Sequence, residues 1–162
     1  MAIAWEPESN ASEVLRYVNS GPLPGKSLVV LDPQLMMAID ALPCEDAYTQ
    51  ERALLNQVLP TVEPKDLWIG DRNLCTRSFL VGIAQRQACF VIRQHQSMPL
   101  TELDQITYIG ESPTGEVFEQ LVQVTFEGEQ LIVRRVVVKL KQPTRDGEPE
   151  VAVLTNATCI SC

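Results

Sequence analysis

Hydrophobic and polar positions follow two regimes along this chain. Between Ser27 and Arg93, short apolar runs alternate with segments of helical spacing, whereas beyond Pro99 strand-like runs follow one another with only turns between them. Ser27–Leu31 (SLVVL) is β-branched and ends on Asp32-Pro33, and Met36–Leu42 (MMAIDAL) reads as a second strand after a turn at Pro33-Gln34. Ala47–Leu59 places Ala47, Glu51, Leu54, Leu55 and Val58 at helical spacing, with Asp46 as N-cap and Pro60 just past the end. Leu67–Gly70 reads as a third strand. Leu74–Arg86 reads as a helix with Phe79, Leu80, Ile83 and Ala84 on one face and Asn73 as its cap, and Ala88–Arg93 as a fourth strand. The order over residues 27–93 is therefore β-β-α-β-α-β, which predicts an α/β fold. Residues 1–22 are polar and unpatterned apart from a short helical run around Ser12–Val18, and Pro22-Leu23-Pro24-Gly25 is a turn.

The second regime is antiparallel in character. Thr107–Ile109, Glu116–Phe126, Gln130–Lys141 and Val151–Leu154 favour strand, separated by Pro113-Thr114-Gly115, Glu127-Gly128-Glu129 and Pro143–Gly147. The Gly128 turn predicts a hairpin between its flanking runs. The pattern changes across Gln96–Glu102. The expected organisation is an N-terminal segment over 1–22, an α/β core over 23–96, a β-rich module over 97–156 and a tail over 157–162.

Composition adds bounds. The 162 residues suit one ordinary domain or one with an inserted module, and 45% hydrophobic with 21% charged content is globular. No apolar run is as long as a membrane span, and Met1–Glu6 lacks the basic start and apolar core of a signal peptide, so a soluble cytoplasmic protein without membrane partners is expected. A net charge of −8 argues against nucleic-acid binding by the whole surface.

That charge is unevenly placed. Arg72–Leu100 contains no Asp or Glu but holds Arg72, Arg77, Arg86 and Arg93, while acids outnumber bases on both sides of it. Asp71 stands at the head of this segment, directly after the Leu67–Gly70 run. An acid at the carboxyl end of a buried strand lies where α/β sheets place ligands and metals. Followed by an acid-free arginine-bearing segment, it suggests a metal ligand beside a polyanion surface. The plainer alternative is that Asp71 caps a helix and the arginines are a solvated face.

Five cysteines, Cys44, Cys75, Cys89, Cys159 and Cys162, are an odd count that reads as reduced thiols. Cys75 and Cys89 have apolar surroundings and read as small core residues. Cys159–Cys162 has C-x-x-C spacing but no second pair, and the single histidine, His95, is distant in sequence. His95 follows a strand, where a base is conceivable and a structural or DNA-facing role is the alternative. No second acid, nucleophile or base motif accompanies Asp71 to suggest an unrelated α/β enzyme.

Leu23–Pro33 (LPGKSLVVLDP), Gln50-Glu51-Arg52, Leu67–Thr76 (LWIGDRNLCT), Phe90–His95 (FVIRQH), Pro143–Gly147 (PTRDG) and Leu154-Thr155-Asn156 resemble, in order, transposases of the insertion-sequence-4 family. The resemblance covers about residues 14–156 and implies a ribonuclease-H-like core with a β-rich insertion after its fifth strand. In that family three carboxylates, Asp, Asp and Glu, hold two Mg²⁺ or Mn²⁺ ions that activate water or a DNA 3′-hydroxyl for in-line attack on a phosphodiester. Two-metal sites need the cations roughly 3.5–4 Å apart, with hard oxygen ligands. Asp71 matches the second carboxylate, at the end of the fourth core strand, and so carries the catalytic and metal-binding role. Arg72 and Asn73 match the next motif positions, and with Arg77, Arg86, Arg93 and His95 they are the candidate DNA contacts.

The departures are as informative. The family's first Asp belongs to an Asp-Gly-Asn-type motif on a strand before the LPGKSLVVLD region, and residues 1–22 hold none; Asp32 and Asp40 match non-catalytic positions. The family's Tyr-x-x-Arg-x-x-x-Glu signature, which carries the third acid, has no counterpart in Ala157–Cys162. The expectation is a ribonuclease-H-like core without its first strand, from a truncated or frameshifted transposase copy inactive by itself. The alternative is a non-catalytic protein that binds DNA, or pairs with an intact transposase and inhibits it.

Overall fold

Leu67–Gly70 is a short strand of alternating exposure, with Trp68 buried and Leu67 and Ile69 turned outward. The computed structural model describes residues 2–7, 26–33, 35–44 and 51–157. The chain divides into two compact units, Met1–Thr61 and Val62–Cys162. The described residues form a mixed α/β arrangement, mostly strands, with few helices.

In the first unit, β1 (Ala2–Pro7), β2 (Lys26–Asp32) and β3 (Met37–Cys44) form an antiparallel meander. β1 lies in a stretch whose sequence pattern predicts no strand. Its register runs from Ala2 opposite Leu31 to Pro7 opposite Lys26. Six residues with Ile3 and Trp5 as the large apolar positions are too few to announce a strand by periodicity, and the ladder to β2 supplies what the local pattern lacks. In the β2–β3 turn, Asp32 Oδ1 accepts the Leu35 N–H at 3.2 Å, and Met36 takes a left-handed φ of 52°. Helix α1 (Glu51–Val58) packs against β3 and buries Leu54, Leu55 and Val58, the apolar positions its spacing predicts. A 3₁₀ turn over Leu59–Thr61, containing Pro60, ends it. Ser12–Val18, Gln34, Asp46 and the expected helix start at Ala47 lie outside the described residues, as do Cys159 and Cys162.

In the second unit, β4 (Leu67–Gly70) runs parallel to β5 (Cys89–Arg93), with helix α2 (Arg77–Gln85) between them in sequence. β5 then pairs antiparallel with β10 (Glu150–Thr155), β10 with β9 (Glu129–Leu140), and β9 with β8 (Gly115–Phe126). β6 (Thr101–Glu102) and β7 (Thr107–Ser112) both pair with β8. The strands beyond Pro99 thus continue the β4–β5 sheet through β10. The β8–β9 hairpin turns at Glu127-Gly128, both with positive φ (50° and 87°), the geometry of a type I′ turn and the reason glycine suits the second position.

α2 buries Phe79, Leu80, Val81, Gly82 and Ile83, against β5, β8 and β9. Trp68 meets Phe79 edge to face, with centroids 6.2 Å apart, and Phe90, Ile92, Val122, Val124, Val133, Val137 and Leu154 complete the core. Cys75 is buried and Cys89 half-buried. Asn156 clasps the start of β5: its Oδ1 accepts the Phe90 N–H at 2.8 Å and its Nδ2 donates to the Ala88 carbonyl at 2.9 Å. No helix among the described residues is long and apolar enough to cross a membrane.

Candidate anion-binding cleft

The parallel β4–β5 pair brings the ends of two strands together, and the residues that follow them make the site. After Gly70 the chain enters a 3₁₀ turn, Arg72–Leu74, before α2 begins. Asp71 is extended (φ −83°, ψ −177°), and its Oδ1 accepts the Asn73 N–H at 2.8 Å, so Asp71 is the N-cap of that turn. Thr76, not Asn73, caps α2, its hydroxyl accepting the Phe79 N–H at 3.3 Å. The 3₁₀ turn displaces the helix start, and so replaces the expected cap.

A cleft of about 200 Å³ opens beside this turn, lined by Arg72, Arg93, Gln94, Arg135 and Glu148 among others. Glu148 lies at the bottom of its charge network. Its Oε1 accepts from Arg72 Nη1 at 2.7 Å, while its Oε2 accepts from Arg93 Nη2. Arg72 also lies 3.8 Å from Asp146. The turn that presents Glu148 is tight. Gly147 N–H donates to the Thr144 carbonyl at 2.8 Å, Thr144 N–H to the Glu148 carbonyl at 2.9 Å, and Glu148 N–H to Thr144 Oγ1 at 3.1 Å. Gly147 has φ +81°, which this turn requires and which a side chain would strain.

Arg135 is held differently. Its Nε donates to Gln94 Oε1 at 2.7 Å and its Nη1 to Gln120 Oε1 at 3.3 Å, both neutral acceptors. Gln120, nearly fully buried, is itself fixed by donation from Nε2 to the Asp104 carbonyl at 2.9 Å. None of the ion pairs among the described residues includes Arg135.

The residues singled out in the sequence therefore separate. Arg72 and Arg93 converge on the cleft, whereas Asp71 is exposed and does not line it. Arg77 donates to the Thr125 carbonyl at 3.3 Å, and Arg86 to the Gly82 carbonyl of its own helix at 3.0 Å. His95 Nδ1 accepts the Ser97 N–H at 3.2 Å and lies 2.8 Å from Ser97 Oγ. Among the described residues no three His, Cys, Asp or Glu side chains gather to hold a metal ion. With Asp71 engaged as a cap and no such group present, the described residues do not fit the three-carboxylate ligand set of a two-metal site.

Sequence reading passed over Arg135 and Glu148. Arg135 left a signal: it shares the phase of Val133 and Val137, both buried, so a cation falls on the inward face of β9. Glu148 left none, because its turn reads locally as a surface loop.

No protein-family model matches the chain, and no curated protein sequence matches it either.

Proposed function

We propose that the chain belongs to a D-D-E transposase of the insertion-sequence-4 kind, with a ribonuclease-H-like core, and that the described part contributes DNA-backbone contacts rather than strand cleavage. The observation that carries this reading is the arrival of Asp71-Arg72 and Arg93 at the same end of the parallel β4–β5 pair, in the order of the motifs LWIGDRN and FVIRQH. The element order supports it: five strands precede the β-rich segment, and Asp71 follows the fourth. Ligands of open α/β sheets sit outside the carboxyl ends of such strands. Arginine is suited to phosphate because its planar fork donates two parallel hydrogen bonds and never loses its charge.

Cleavage lies outside this proposal. In the family, Mg²⁺ or Mn²⁺ stabilises the attacking and leaving oxygens, and three carboxylates hold it. β1 carries no aspartate, and among the described residues Asp71 belongs to no group of three or more His, Cys, Asp or Glu side chains that could hold a metal ion. What this chain's residues offer is charge and orientation at a phosphate.

The experiment is incubation of the purified chain with supercoiled plasmid and a labelled duplex, with Mg²⁺ and separately Mn²⁺. Retention of duplex at low salt without nicking or joining is expected. Metal-dependent cleavage abolished by Asp71→Ala would overturn the non-catalytic half of the proposal, and no duplex retention at any salt would overturn the other half.

A further inference from the structure

We propose that the cleft framed by Arg72, Arg93 and Arg135 is a phosphate-binding site, with Glu148 as its built-in competitor. The inference uses the arrangement of these four side chains alone and stands whether or not the chain is a transposase.

Three facts converge on it. First, the Glu148 carboxylate already draws two of the arginines together, one oxygen to Arg72 and the other to Arg93. A phosphate carries more oxygens and more charge than a carboxylate, and so suits a site framed by three guanidinium groups. Second, Arg135 lines the same cleft, and among the described residues no ion pair includes it. Gln94 and Gln120 hold its Nε and Nη1 without neutralising it. A half-buried guanidinium held by neutral amides is in no ion pair among the described residues, and an anion in the cleft would supply one. Third, Glu148 sits on a turn closed by its own hydrogen bonds between Thr144 and Glu148, so the turn keeps its shape when the carboxylate leaves.

The ligand that suits three guanidinium groups is a phosphate. A cleft of about 200 Å³ admits a phosphate group together with part of whatever bears it. With Glu148 in place, Arg72, Arg93 and Arg135 face Glu148 and Glu150; with Glu148 displaced, the cleft gains one net positive charge.

The test is titration of the whole chain with inorganic phosphate by calorimetry, comparing wild type, Glu148→Gln, and Glu148→Gln combined with Arg135→Gln. Loss of one charged competitor is expected to tighten phosphate binding about tenfold, and Arg135→Gln to cancel that gain. Unchanged affinity in Glu148→Gln, or a gain that survives Arg135→Gln, overturns the proposal. A readout on wild type guards against misfolded variants: the side-chain NMR signals of Arg93 and Arg135 should shift together as phosphate is added, and an unmoved Arg135 signal overturns it equally.

Oligonucleotides with a 5′-phosphate and with a 5′-hydroxyl identify the source of the phosphate. Equal binding assigns internal phosphodiesters, binding of the phosphorylated strand alone assigns a terminal phosphate, and binding of neither beside retained inorganic phosphate assigns a small phosphorylated molecule. All three support the site, and only the last removes the DNA-binding reading. Failure of every probe overturns both.

Discussion

Arg72 and Glu148 stand 76 residues apart in sequence, yet Arg72 Nη1 donates to Glu148 Oε1 at 2.7 Å, tying the turn after β4 to the turn before β10. Arg93 reaches the other oxygen of the same carboxylate. One carboxylate therefore fastens two strand ends of the sheet. Glu148→Ala should leave two partly buried guanidinium groups without their shared acceptor and cost about 1–2 kcal/mol, since hydrogen bonds to charged groups exceed neutral ones. Urea denaturation measures this, and a double-mutant cycle with Arg93→Gln should return a positive coupling. Additive single effects would mean that the pair contributes little.

Asp71 serves as a cap in this structure, and a cap has a stability signature that a metal ligand lacks. Asp71→Ala should lower stability by about 0.5–1 kcal/mol in buffer containing EDTA, whereas Asp71→Asn, equally able to accept from the Asn73 N–H, should remain close to wild type. Equal stability of all three proteins would remove the capping role.

Asn156 acts as a strand extension, pairing with the Phe90 N–H and the Ala88 carbonyl from 66 and 68 residues away. Asn156→Ala strands two backbone groups beside the core and should cost about 2 kcal/mol. Hydrogen exchange at the Phe90 amide should accelerate in step. An unchanged exchange rate would show that another group takes over the bond.

Arg134 clamps Glu119 across the β8–β9 pair, with Nε to Oε1 at 2.8 Å and Nη2 to Oε2 at 2.7 Å. This hydrogen bonding, aided by the Arg134 charge and opposed by partial burial, holds the Glu119 carboxyl below the ordinary glutamate value. Since the folded state then binds the proton less readily than the unfolded state, the pair's stabilisation is present above the unfolded pKa and is lost as pH falls through the folded one. Glu119→Gln should destabilise by about 0.5–1 kcal/mol at pH 7, and the difference from wild type should close as pH drops below about 4. A gap that persists at low pH would assign the effect to packing.

Much of this was legible in the sequence, and what was not has a physical reason. The path from β4 through α2 to β5 follows from local signals: an apolar run, then Phe79, Leu80 and Ile83 at helical spacing, and a second β-branched run. The β8–β9 hairpin announced itself through Gly128. β1 did not, because six residues gain strand character only from their ladder with β2. The α2 cap shifted from Asn73 to Thr76 because a 3₁₀ turn intervenes, and both residues are good caps. The cleft is a long-range object. Arg72 and Arg93 were marked by the acid-free stretch, but only the sheet pairing of β5 with β10 brings Glu148 between them. Arg135 could have been found by asking why a cation interrupts the buried phase of β9 between Val133 and Val137.

We propose that this chain contacts the DNA backbone through the arginines of the cleft. The most direct test is the salt dependence of duplex affinity, followed by fluorescence anisotropy from low to moderate ionic strength. Three phosphate contacts, from Arg72, Arg93 and Arg135, predict a plot of log K against log salt with a slope of about −2.7, reduced in magnitude by about one in Arg93→Gln. A wild-type slope near zero, or one that Arg93→Gln and Arg135→Gln both leave unchanged, would contradict the claim.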